Sequence, residues 1–183
     1  MRRDRPLVPV SAADCARVLL ALPDLTASGF DSYYVGLHAR QNAWRARNGL
    51  PPKCRHQPIP ITDLDVRSQI ARARLFLTTN CRPTKGGRRR RGSYGLKHEA
   101  EQWIGCVYPV AFEVPYICNG AFIAALWLVG YVLKRGGPNA WFHMRFSSEY
   151  RRFRDGVQGG LRTTPTEAPS ICAHDSNRCF ATQ

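Results

Sequence analysis

The chain has 183 residues, of which 44% are hydrophobic, and this suits one domain of ordinary size with tails. Twenty-seven lysines and arginines against 13 acidic residues give a formal net charge of +14. The most apolar run, residues 121–133, is too short for a bilayer span of about 20 residues, and residues 1–6 do not resemble a signal peptide. We therefore expect a cytoplasmic protein without a membrane partner.

The positive charge is concentrated in the body of the chain. Residues 61–110 contain ten basic and four acidic residues, whereas residues 161–183 contain two of each. Most of the basic residues are arginines, which make bidentate contacts with phosphate and stack on bases. The composition favours nucleic acid as the partner, DNA ahead of RNA. The alternative, that this is a soluble protein whose basicity reflects only an arginine-rich genome, stays open.

The seven cysteines are odd in number and form no CxxC pair, which favours free thiols in a reducing compartment. The nearest approaches to a ligand cluster are Cys54 with His56, and Cys172 with His174 and Cys179. Neither shows the paired spacing of a zinc site, so we predict no metal and no cofactor.

Two helices are predicted in the first third of the chain. Residues 11–22 begin with Ser11 as the cap and Asp14 in the first turn, where the helix dipole favours an acid. A shorter helix over residues 37–47 ends at an Asn-Gly pair. It contains Trp44 among arginines, which is either a core anchor or an aromatic that stacks on a base.

A third helix is predicted over residues 62–77, with Thr62 as the cap. Apolar residues form one side, and Arg67, Arg72 and Arg74 form a basic side. Asp63 and Asp65 fall in the first turn, where acids are common, so we do not assign them a metal.

The next segment, residues 82–92, is predicted to be an exposed basic loop. Two glycines at 86 and 87 make it flexible, and the four arginines at 88–91 repel one another in a compact fold. Such a segment can lie along a phosphate backbone, where each neutralised phosphate makes the affinity depend on salt.

A helix over residues 93–105 follows, with Ser93 as the predicted cap. His98, Glu99 and Glu101 invite comparison with a metal-dependent nuclease. Residues two apart do not share a helix face, so the two carboxylates do not converge on one ion. Without a further catalytic motif we predict no enzymatic activity.

Residues 106–118 are apolar with two prolines and are typical of an edge strand or a folded loop. Asn119 is the predicted cap of an apolar helix over residues 120–133, which we place at the centre of the core. Residues 140–146 predict a strand with Trp141, His143 and Arg145 on one side. A short helix over residues 147–154 completes the domain.

The strings SYGLKHEAE, YICNGAFIAA, GY and GPNAWFHMRF, within residues 92–146, form a recognisable pattern. It resembles a family of small uncharacterised bacterial proteins carried on plasmids and integrative elements. The resemblance implies no activity for any residue, but it suggests that the helices at 93–104 and 120–133 form a helix-turn-helix-like pair. Residues 106–118 depart from a short turn, and the second helix offers almost no polar side chain to base edges.

Together these patterns predict a mainly α single domain of four to five helices with a few short strands. It spans residues 11–155, after a flexible N-terminus at 1–10 and before a disordered tail at 156–183. The predicted function is a basic nucleic-acid-binding accessory protein, such as a regulator encoded by a mobile element. The alternative is a small interaction module or inhibitor that binds an acidic host protein. The predicted nucleic-acid-binding residues are Arg72, Arg74, Lys85, Arg88, Arg89, Arg90, Arg91, Lys97 and His98.

Overall fold

The computed structural model describes residues 7–52, 59–86, 90–109 and 115–160, with the side chains of 32–38 and 158–160 left out. The helices are α1 (Ala12–Ala21), α2 (Ser32–Arg47), α3 (Leu64–Asn80), α4 (Ser93–Val107), α5 (Asn119–Leu128) and α6 (Ser148–Gly160). The strands are β1 (Leu25–Thr26), β2 (Gly29–Phe30), β3 (Cys81–Pro83), β4 (Arg91–Gly92), β5 (Lys134–Gly136), β6 (Asn139–Phe142) and β7 (Met144–Phe146). The mainly α architecture is confirmed for these ranges, with six helices and more strands than the sequence predicted.

Helix α5 lies at the centre of the core, as its apolar sequence predicted. Every residue from 119 to 126 is buried, and the helix packs against α1, α3 and α4. Burial of a Phe, Ile or Leu side chain is worth about 1.5–3 kcal/mol, so this helix supplies much of the driving force for folding. Within the described ranges, no helix has the length and apolarity of a membrane span.

The caps of two helices differ from the sequence prediction. Helix α3 begins at Leu64 with Asp63 as its cap, not Thr62, because the Asp63 carboxylate accepts from the Asp65 amide. Helix α5 includes Asn119, and its cap is Cys118, whose thiol accepts from the Ala121 amide.

The predicted N-cap is correct for α1 and wrong for α4. Ser11 caps α1 as predicted, in a capping box with Asp14. Ser93 was predicted to cap α4 but lies inside the helix, and the cap is Gly92, which has no side chain to bond. The Ser93 hydroxyl is therefore left to make a tertiary contact.

The described strands form three small antiparallel sheets. Strands β1 and β2 make a hairpin, β3 pairs with β7, and β6 lies between β4 and β5. The single strand predicted over residues 140–146 is divided at His143 into β6 and β7, which belong to different sheets. The continuous segment 139–146 therefore connects the sheet β4-β6-β5 to the sheet β3-β7.

The structure also bears on the predicted loop, tails and helix pair. Both ends of the loop at 82–92 are paired strands, β3 and β4, whereas residues 87–89 lie outside the described residues.

Helix α6 continues to Gly160, past the predicted start of the tail, and residues 1–6 and 161–183 are outside the description. In the predicted helix-turn-helix-like pair, the α5 residues from 119 to 126 are all buried, which agrees with the expectation that the second helix offers little to base edges.

Candidate nucleic-acid interface

A groove of about 620 Å³ opens where the turn after α5 meets the end of β3 and the sheet β4-β6-β5. Its lining includes Lys85, Arg90, Val132, Lys134, Trp141 and His143. Three of these side chains carry a positive charge, and the described lining contains no carboxylate. We call this site the basic groove and define it by Lys85, Arg90, Lys134, Trp141 and His143.

Strand pairing brings these residues together from distant parts of the sequence. Lys134 lies directly opposite Trp141 in the β5–β6 register, and Gly92, two residues after Arg90, lies opposite Trp141 in the β4–β6 register. Gly130 directly follows the C-cap of α5, and its φ of 91° is favourable only for glycine. The groove is thus a product of the sheet and not of one basic segment.

Lys85, Arg90 and Lys134 have no ion pair with a described carboxylate, and neither do Arg82 and Arg145 on the adjacent strands β3 and β7. Lys85, Arg90 and Lys134 are all exposed. By contrast, Arg135 contacts Asp24 at 2.6 Å and lies over the ring of Phe30. The groove therefore holds charge that the described fold does not neutralise, which is the electrostatic condition for binding an anion.

The β3–β7 ribbon extends this charge away from the groove. Arg82 and Arg145 are directly opposite each other in the register, and both are exposed. By the alternation of side chains along strands, they share a face with Thr84 and His143, which line the groove. The Arg82 guanidinium donates to the Thr78 and Cys81 carbonyls at 3.0 and 3.3 Å, which holds its charge beside the last turn of α3.

Trp141 forms the floor of the groove and is 40% exposed. A Cβ at Gly136 would lie 2.2 Å from the indole Nε1, and a Cβ at Gly92 would lie 3.6 Å from the benzene half of the ring. These glycines belong to the two strands that flank β6, so the indole lies across the sheet in the space that their side chains would otherwise occupy. The sheet thereby presents a broad aromatic surface.

The structure separates the nine predicted residues into four groups. Lys85 and Arg90 lie in the basic groove, and Arg88 and Arg89 lie outside the described residues. Arg91 lies over the ring of Phe146 and 3.8 Å from Glu99. The other four, Arg72, Arg74, Lys97 and His98, belong to α3 and α4, and none of them lines the groove.

The two predicted residues of α3 make internal contacts. Arg74 pairs with Asp14 of α1 at 3.3 Å. Arg72 is buried and donates to the Tyr116 carbonyl at 3.1 Å. Burial lowers the pKa of the Arg72 guanidinium, while the carboxylates of Asp65 and Glu101 act in the opposite direction. These arginines support the packing of α3 against its neighbours.

Lys97 and His98 meet at the carboxylate of Glu101. The Lys97 ammonium is buried, 3.2 Å from Glu101 Oε1, between the rings of Tyr94 and Tyr116 at 5.1 and 5.3 Å. The exposed His98 places Nδ1 2.8 Å from Glu101 Oε2. The Ile117 amide also donates to Glu101 Oε1 at 2.8 Å, so both oxygens of this carboxylate are engaged within the fold.

Glu99 and Glu101, the carboxylates that suggested a comparison with nucleases, contact different partners. Glu99 accepts from the Tyr150 hydroxyl at 3.1 Å and pairs with Arg91, whereas Glu101 serves Lys97 and His98. Across the described ranges, no group of three or more His, Cys, Asp or Glu side chains is arranged to hold a metal ion.

The strings that carry the family resemblance meet in one buried polar network. Ser93 donates to Asn119 Oδ1 at 2.9 Å and accepts from the Ala140 amide. The Asn119 amide nitrogen donates to Asn139 at 3.1 Å and to the Ser28 carbonyl at 3.2 Å. These residues join α4, α5 and β6, so this part of the pattern encodes the fold.

Five residues that line the basic groove or lie on the β3–β7 ribbon beside it were not among the predicted sites: Arg82, Lys134, Trp141, His143 and Arg145. The sequence did contain a signal for three of them, because alternation over residues 140–146 places Trp141, His143 and Arg145 on one side of a strand. Nothing in the sequence brings Lys134 to that side, since its position depends on pairing between β5 and β6.

Comparison with known proteins gives no further guide to the site. The chain has no significant match to a protein-family model, to a curated protein or to a solved structure.

Proposed function

We propose that this protein binds nucleic acid through the basic groove and acts as an accessory or regulatory protein, with DNA the first polymer to test. The observation that carries the proposal is the absence of any described carboxylate partner for Lys85, Arg90 and Lys134, which line one groove together. Phosphate contacts dominate the affinity of basic proteins for nucleic acid, and these side chains are placed to make them.

The ribbon beyond the groove supports the same function. Arg82 and Arg145 continue the charge along one face, so a polyanion could follow the surface for several phosphates. A small anion would need only one of these sites. The extended arrangement therefore favours a polymer over a metabolite.

The experiment is fluorescence anisotropy with labelled duplex DNA, single-stranded DNA and RNA, titrated over a range of salt. The variant replaces Lys85, Arg90 and Lys134 together with glutamine. Each lost phosphate contact reduces the slope of log K against log salt by about 0.7 on single strands and about 0.9 on duplex DNA. The triple variant is expected to lower the slope by about 2–3 and to weaken binding at low salt.

The matched control replaces Arg40, Arg45 and Arg47 of α2 with glutamine. It removes the same formal charge from a helix that contributes no described residue to the groove lining. If both triple variants lose affinity equally, the protein has only a general attraction for polyanions. If the unaltered protein binds none of the polymers at physiological salt, the proposal is wrong and an acidic protein partner becomes the better hypothesis.

A further inference from the structure

Besides its charged side chains, the basic groove contains an exposed aromatic side chain, Trp141. Trp141 leaves two-fifths of its surface in water, although the adjacent Phe142 on the same strand is buried almost completely. Tryptophan is among the largest apolar side chains, so leaving it exposed gives up stabilisation that burial would supply. A single exposed aromatic side chain is common at a protein surface, and what distinguishes Trp141 is the pair of glycines that flank its indole.

The glycines on either side of Trp141 hold the indole in that position. Gly92 is directly opposite Trp141, and Gly136 is the diagonal neighbour on the other flanking strand. Side chains at these positions would normally stand beside the ring on the same face of the sheet. With glycine at both, the indole extends into the space on either side of β6 that two side chains would otherwise occupy.

The flat indole is complementary to an unpaired base. In a duplex the faces of the bases are covered by their neighbours, so a platform of this kind has nothing to stack on. In a single strand every base has a free π-face, and proteins that bind single strands combine such aromatic platforms with a positively charged groove. The groove volume of about 620 Å³ also lies within the range of pockets that enclose ligands of drug size.

We infer that the basic groove takes single-stranded nucleic acid, with one unpaired base stacked on Trp141 and the flanking phosphates on Lys85, Arg90 and Lys134. This inference rests on the proposed function and specifies the form of nucleic acid that the groove accepts. Single-stranded DNA and RNA offer the same chemistry, and separate arms of the experiment distinguish them.

The test measures the affinity of Trp141→Ala and Trp141→Phe for a single-stranded oligonucleotide and for the duplex of the same sequence. Loss of a base–aromatic stack is expected to weaken single-strand binding of Trp141→Ala by about 5- to 150-fold. Trp141→Phe is expected to retain most of the affinity, and duplex binding is expected to change less than about 2-fold in either variant. DNA and RNA single strands are measured in parallel.

The control is Trp44→Ala, which removes a tryptophan that is 57% exposed on α2 and lies outside the groove lining. It is expected to leave single-strand affinity unchanged. An equal loss in Trp44→Ala and Trp141→Ala, or an equal effect of Trp141→Ala on single strands and duplex, would overturn the inference.

A second pair of variants leaves the tryptophan in place. Gly136→Ala puts a methyl group where the indole lies, so it displaces the platform and is expected to weaken single-strand binding. Gly95→Ala is the matched control, because a Cβ there meets nothing within 4 Å. If Gly136→Ala binds like Gly95→Ala, the platform has no role.

The two proposals fail in distinguishable ways. If the triple charge variant weakens binding while Trp141→Ala does not alter the preference for single strands over duplex, the groove binds nucleic acid but the stacking inference is wrong. If neither change affects binding, both proposals are wrong.

Discussion

Replacement of Asn119 by alanine tests whether the polar network, and not only the apolar core, holds the fold together. Asn119 is 3% exposed, accepts from Ser93 and donates to Asn139 and to the Ser28 carbonyl. Each such hydrogen bond contributes about 1 kcal/mol net, and the buried partners left behind add to the loss. We expect Asn119→Ala to lower the free energy of unfolding by about 3 kcal/mol, a large part of the roughly 5–15 kcal/mol typical of a protein.

Urea denaturation followed by circular dichroism measures this change. The control is Asn48→Ala, because the Asn48 side chain is exposed and contacts only the Trp44 carbonyl among its described partners. A change within about 0.5 kcal/mol is expected there. A double-mutant cycle of Asn119→Ala with Ser93→Ala should show a coupling energy of about 0.5–3 kcal/mol, since the two side chains bond directly. A loss below about 1 kcal/mol for Asn119→Ala, or a coupling energy near zero, would refute the reasoning.

Three further predictions concern the charged, thiol and capping groups. Glu101→Gln should lower the free energy of unfolding by about 2–3 kcal/mol, because the buried Lys97 ammonium loses its counter-charge. Lys97→Met should lower it by less, because it removes that buried charge. Urea denaturation that ranks the two variants in the reverse order would contradict this prediction. Cys106 is the exposed thiol among the described cysteines, so Cys106→Ser should remove one rapidly reacting equivalent in a thiol-labelling assay of the native protein, and an unchanged fast phase would contradict it. Although burial acts against it, hydrogen bonds from Ser11 and the nearby Arg74 guanidinium hold the pKa of Asp14 below its ordinary value. Because the folded pKa is depressed, this stabilisation is complete above the ordinary pKa of about 4 and is lost as the pH falls through the folded value. The difference in unfolding free energy between the unaltered protein and Asp14→Asn should therefore be largest at neutral pH and shrink below about pH 4; a difference that does not vary with pH would show that the charge has no role.

Local signals in the sequence predicted the framework of the fold. A capping serine with an acid three residues later identified the start of α1, and an apolar run without polar interruption identified α5 as the central helix. Both signals are complete within one turn or one helix, so no tertiary contact was needed to interpret them. The alternation over residues 140–146 was also predictable, because it separates buried Phe142 and Phe146 from exposed Trp141 and Arg145, although the segment forms two strands and not one.

The tertiary structure alone decided which charges are available to a partner. Lys97 and Lys134 are the same residue type in a basic chain, yet one is buried against a carboxylate and the other is exposed in the groove. Hydrophobic periodicity places helices and strands but does not determine which acid meets which base, because ion pairs such as Arg135–Asp24 join residues far apart in sequence. The composition therefore determined that this protein carries excess positive charge. The pairing of β4, β6 and β5 determined where part of that excess lies and that the Trp141 indole lies beside it.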